Sequence, residues 1–220
     1  MAGSRTIADL IATFEDWAHP SWQEKWDNCG WQVEPGILQE SAGVLVCLTP
    51  TMAVLEEAIA LRAKGEPVNM ILAHHPLIFG GLSAVVAGDS VGDVVRGAIA
   101  HNIGIYTAHT NFDQVSDGTA DVLAQLLNLQ AAEPVVSTTS AQPSGKADER
   151  GYGRVGNLMM EQPLQQLLET IQTVLEPPRL LYSPTADLQQ PIKRVAVLGG
   201  SGASYISAVK ATGAQVYLTA

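Results

Sequence analysis

Three short apolar runs, GVLVCL (43–48), VNMILA (68–73) and IGIYTA (103–108), are each followed by a segment of helical character, and this alternation constrains the fold most. Thr49-Pro50 opens a helix running to about Gly65, proline being suited to a first helical turn. A loop carrying Gly80, Gly81, Gly88 and Gly92 leads to a helix around 91–101. A loop rich in Asn, Asp, Ser and Gly then feeds a helix from about Gly118 to Leu129. Wholly apolar strands joined by helices form right-handed βαβ units around a mostly parallel sheet covered on both faces. The fold class is α/β.

Upstream, Ser4 is placed to cap a first helix, with Ile7, Leu10, Ile11, Phe14 and Trp17 at helical spacing and His19-Pro20 ending it. Trp22, Trp26 and Trp31 follow in an irregular stretch, read as core or interface packing ahead of a ligand cage. Residues 131–150 are rich in Ser, Thr, Pro, Ala and charge and read as a linker or mobile loop. A second α/β pattern then runs through strand 152–160, helix 163–175, strands 179–183 and 193–198, GGSGAS, a helix to about Gly213 and a last strand, QVYLT. The expected domains are 1–130 and 151–220, joined by the linker. Because the chain stops directly behind an apolar strand, the second domain is expected to be truncated.

Charge narrows the function. The net charge of −10 and pI of about 4.8 disfavour nonspecific nucleic-acid binding and anionic membranes. Chemistry directed at an anion is therefore expected to sit at a metal. No apolar stretch approaches bilayer length, and MAGSRTIADL lacks the pattern of a signal peptide, so a soluble, cytoplasmic protein is expected. Cys29 and Cys47 read as small half-buried side chains.

The residues suited to metal chemistry follow two of the strands. His74 and His75 end strand 68–73, and HTNFD (109–113) ends strand 103–108. Segments leaving the carboxyl ends of neighbouring parallel strands meet at one edge of a sheet, where such folds bind ligands. Consecutive strand side chains face opposite ways, so an adjacent histidine pair favours two metals, one for each imidazole, if the strand stays regular. Asp113 could complete or bridge them. His109 could ligate, or orient a ligating group through a hydrogen bond. GGSG (199–202) could cradle an anion, although a plain tight turn is the stronger reading. Asp27 and Asn28 read as turn residues ahead of cleft residues.

DNCGWQV (27–33), LAHHPLIF (72–79), YTAHTNFDQVSDGTADVLAQLL (106–127), GYGRVGNL (151–158) and VAVLGGSGASYI (195–206) together resemble the Nif-three-like family, whose members are often described as type 2 homologues of GTP cyclohydrolase 1. The resemblance implies two interlinked α/β domains, a dinuclear metal site in a cleft between them and ring-like homohexamers. It implies metal-ligand roles for His74, His75 and Asp113. It also implies a further His-x-x-x-Glu toward the C-terminus, which this sequence lacks, and an inserted third domain, for which 131–150 is too short.

The function expected is that of a dinuclear, divalent-metal-dependent hydrolase acting on a nucleotide or a related heterocycle, with His109 as the nearby proton-transfer residue. Histidine and carboxylate donors suit Zn, Fe, Mn, Co or Ni. The alternative is a non-catalytic metal-binding interaction or regulatory protein.

Overall fold

The structure, a computed structural model, describes residues 5–138 and 150–220. It divides into two compact units, Met1–Phe112 and Asp113–Ala220. Among the described residues no helix is long and apolar enough to cross a membrane.

The first unit opens with α1 (Ile7–Trp17), whose start is fixed by a reciprocal capping box. The Thr6 hydroxyl accepts the Asp9 amide at 3.1 Å, and the Asp9 carboxylate accepts the Thr6 amide at 3.1 Å. Thr6 is thus the cap, and Ser4, the expected one, lies outside the described residues. β1 (Gly30–Val33), β2 (Val44–Cys47), α2 (Met52–Ala63), β3 (Met70–Ala73), α3 (Ser90–His101) and β4 (Gly104–Thr107) follow. The strands lie in the order β1-β4-β3-β2. The run β2-β3-β4 is parallel, as the alternating pattern predicts, and β1 closes the edge antiparallel to β4.

The two-residue period of the strands sorts the core into two layers. Ile71 and Ile105, paired across β3 and β4, pack with Leu55 and Ala58 of α2 and Val94, Val95 and Ala98 of α3. Met70 and Tyr106 face the other way and pack with Ile7 and Ile11 of α1. Both faces of the sheet are therefore covered. Glycine is required at Gly43, where a Cβ would lie 1.7 Å from the Pro67 carbonyl oxygen.

The second unit contains α4 (Thr119–Leu126), β5 (Gln130–Glu133), β6 (Val136–Ser137), β7 (Gly151–Tyr152), β8 (Arg154–Pro163), α5 (Leu164–Leu175), β9 (Pro191–Val197), α6 (Ile206–Ala211) and β10 (Val216–Leu218). Its larger sheet has the order β10-β9-β8-β5. β10 runs parallel to β9, while β8 is antiparallel to both β9 and β5. Leu167 and Ile171 of α5 pack on Ile192, Val195 and Val197 of β9. Buried Arg154 is neutralised by the Asp121 carboxylate, to which it donates at 2.6 and 2.7 Å, and it also donates to the Gly151 and Gly153 carbonyls, each at 2.8 Å.

Three expectations change here, the first being that the stretch read as irregular contains strand β1, with Trp31 in it. Residues 179–183 form no strand: Leu181 is 86% exposed and Tyr182 54%, and Pro177, Pro178 and Pro184 bracket the run. Proline neighbours deny a strand its regular ladder, and three apolar residues without a pairing edge do not make one. The stretch read as linker begins with strands β5 and β6, which pair with β8 and β7. Its remainder, 139–149, lies outside the described residues.

Candidate metal centre

The centre is built where β2, β3 and β4 end. Past Ala73 the chain leaves the strand, but its amides still pair with the neighbouring segment. His74 N–H donates to the Cys47 carbonyl at 3.2 Å and His75 N–H to that of Leu48 at 2.8 Å. On the other side, Ala108 N–H donates to the Ala73 carbonyl at 3.0 Å. The end of β2 thus holds the histidine pair by its backbone, and Ala108 anchors the residue just before it.

The rings gather with that of His109. Ring centroids are 5.4 Å apart for His74–His75, 5.1 Å for His74–His109 and 5.8 Å for His75–His109. The three residues offer ligand atoms that all lie within 4.8 Å of one another, so this group could hold a metal ion. Because β3 ends at Ala73 and both histidines lie beyond it, strand alternation does not keep their rings on opposite faces.

Each imidazole is oriented through Nδ1. His74 Nδ1 lies 2.8 Å from the Ala108 carbonyl oxygen, His75 Nδ1 2.8 Å from Thr49 Oγ1, and His109 Nδ1 2.9 Å from Asp27 Oδ1. A histidine ligates as the neutral ring, and a proton on Nδ1 leaves the lone pair on Nε2. Oxygen partners on the far nitrogen are the usual support of histidine ligands, because they fix tautomer and ring plane together. The donor set and its supports fit a divalent transition metal.

Asp27 is the functional residue that the sequence reading undervalued. Its side chain is fully shielded from solvent. It accepts the Thr110 amide at 3.0 Å, the Thr110 hydroxyl, the Asn28 amide at 2.8 Å and His109 Nδ1. Burial pushes its carboxyl up, but the bonds from Thr110, His109 and Asn28 outweigh burial and hold it at about 2. An ionised, immobile carboxylate therefore backs His109. The DNCGWQV motif marks this stretch in the sequence, but the register places it: β1 begins at Gly30 antiparallel to β4, with Gly30 opposite Thr107, so residues just before Gly30 sit beside those just after Thr107.

Cys29 keeps the modest role expected of it. Its thiol donates to Asp27 Oδ2 at 3.3 Å, and burial pushes it up to about 11. Asp113 lies in the short 3-10 helix Phe112–Gln114, where its carboxylate accepts the Thr119 hydroxyl at 2.8 Å. Of the tryptophans, Trp31 packs edge-on against Tyr106 at 5.2 Å, whereas Trp26 is 58% exposed. In GGSG, the Gly200 carbonyl accepts from Thr219 and Ala220, and the Gly202 carbonyl from Tyr217. That is the bonding of a structural turn.

A model of the family described as Duf34/NIF3 (NGG1p interacting factor 3) matches residues 5–220. The chain belongs to this family. A DUF34/NIF3 relative from a Nostoc species, named GTP cyclohydrolase 1 type 2 homolog, is 61% identical over 213 residues, covering 97% of this chain and 76% of the relative. A protein of the same name from Streptococcus pneumoniae is 32% identical, covering 96% of this chain and 75% of its own. Among solved structures, a Staphylococcus aureus hypothetical protein superposes with a TM-score of 0.84 at 27% identity, over 99% of this chain and 79% of that one. The DUF34/NIF3 fold expected from the sequence motifs is therefore the fold this chain adopts.

Proposed function

We propose that this chain is a divalent-metal-dependent hydrolase acting on a nucleotide or a related heterocycle. The observation that carries the reading is the convergence of His74, His75 and His109 with an oxygen partner on every Nδ1. Names of relatives as GTP cyclohydrolase 1 type 2 homologs support the substrate class. Bound metal would supply Lewis acidity toward a phosphate or carbonyl oxygen and lower the pKa of water.

The residues of the chain divide the remaining work. The Ala108 carbonyl and Thr49 hydroxyl fix the planes of His74 and His75. Asp27 holds His109 through its Nδ1 and fixes the plane of that ring. The metal reading is favourable for an acidic chain, since a cation offsets the net charge of −10 where an anionic substrate must approach.

A second reading of His109 is favoured by its carboxylate partner, the arrangement that makes an imidazole a competent proton carrier. Here His74 and His75 hold the metal and His109 transfers the proton. His109→Ala separates the two: loss of metal stoichiometry identifies a ligand, and retained metal with lost turnover identifies an acid–base group. A second metal ion, assembly as a homohexamer and residence in the cytoplasm belong to the same proposal. Metal-dependent turnover measured across a nucleotide panel tests the hydrolase. Tight metal binding without turnover of any member would favour the metal-binding interaction or regulatory protein instead.

A further inference from the structure

Trp26 and Phe79 are large aromatic side chains left open to solvent, 58% and 61% exposed. Their ring centroids are 5.9 Å apart at an interplanar angle of 55°, a tilted wedge whose two rings meet each other and keep their outer surfaces in solvent. Trp26 also meets His109, with centroids 6.1 Å apart and planes at 77°. The wedge therefore borders the histidine group.

Both rings are carried by a fixed backbone. Trp26 directly precedes Asp27, whose carboxylate is held by Thr110, Asn28 and His109. Phe79 directly follows Ile78, whose carbonyl accepts Asn28 Nδ2 at 2.7 Å and whose amide donates to Gln32 Oε1 at 3.0 Å. Asn28 thus links the two arms. An exposed aromatic pair on immobilised backbone has little ordering entropy left to lose on binding. Singly exposed aromatics are ordinary on a protein surface, whereas here two lie side by side and one of them meets His109.

We infer that Trp26 and Phe79 stack the planar heterocycle of the substrate, holding its ring beside the imidazoles of His74, His75 and His109. This inference rests on the metal-site reading and adds a ring-recognition element to it. Aromatic faces accept any flat π-system, so the wedge selects for a ring without reading its edges, and base identity is left to other contacts.

The test compares two probes that share a phosphate and a sugar, guanosine monophosphate and ribose 5-phosphate, titrated against zinc-loaded protein. Wild type should bind the nucleotide about tenfold more tightly, the size of one base–aromatic stack. Trp26→Ala should abolish that preference, and Trp26→Phe should restore most of it. Equal affinities for the two probes in wild type, or no binding of either, would overturn the stacking role. So would a preference that survives in Trp26→Ala. Zinc titration without nucleotide is run alongside: failure there refutes the metal reading separately. If Trp26→Ala changes the sedimentation coefficient while the preference for the base persists, the wedge is a contact between copies of the chain and the inference is wrong.

Discussion

Asp27 Oδ1 lies 2.9 Å from Nδ1 of His109, a residue 82 positions later in the chain. The carboxylate is shielded from solvent and bonded on every side by groups of the same centre. It fixes the His109 ring as a second carboxylate oxygen fixes Thr110, so one residue sets the geometry of the β4 end.

The first prediction follows from that contact. Asp27→Asn should weaken zinc binding by about 10- to 100-fold, the usual cost of losing a partner behind a histidine ligand. Isothermal titration of wild type and variant measures it. Unchanged affinity would mean that His109 is not a ligand, or that its orientation does not depend on Asp27.

Acid should act on the same residue in the metal-free protein. The Asp27 carboxyl is lowered from 3.8 to about 2, so the folded state binds its proton less readily than the unfolded one. Its stabilisation is complete above about pH 4 and is lost as pH falls toward 2, an amount on the order of 2 kcal/mol. Urea unfolding between pH 5 and pH 2 in chelator should show a steeper loss for wild type than for Asp27→Asn. Parallel pH profiles would contradict the assignment.

Zinc should raise the unfolding temperature of the wild-type chain, and chelator should reverse the gain. At about 100 times its dissociation constant, a metal that binds only the folded state adds roughly 2.7 kcal/mol. His75→Ala should lose metal stoichiometry or most of this linkage, because it removes one of three converging imidazoles. Calorimetric scans with and without chelator report both quantities.

Arg154 offers a control within the second unit. Its guanidinium is 3% exposed and paired with Asp121. Arg154→Ala leaves a partly buried carboxylate and several carbonyls without their donor, at a cost of about 3–5 kcal/mol. Chemical denaturation should register that loss, and a cost below about 1 kcal/mol would show that solvent replaces the guanidinium readily.

The sequence by itself determined the α/β class, the three parallel strands of the first unit and the position of His74, His75 and His109 at strand ends. These follow from local periodicity, which is written in contiguous residues and needs no partner to be read. It did not determine the pairing of β1, because a four-residue edge strand can join either edge of a sheet in either direction, and only packing selects one. That choice brings Asp27 to His109. Tertiary structure also decided where β3 stops. Ending it at Ala73 frees the histidine pair from strand alternation and lets both rings join one group. Likewise, LLY (180–182) looks apolar enough for a strand, but it forms none: Leu180 packs against the second core while Leu181 and Tyr182 stay exposed. Periodicity names what a segment can become; the available pairing edges decide what it is.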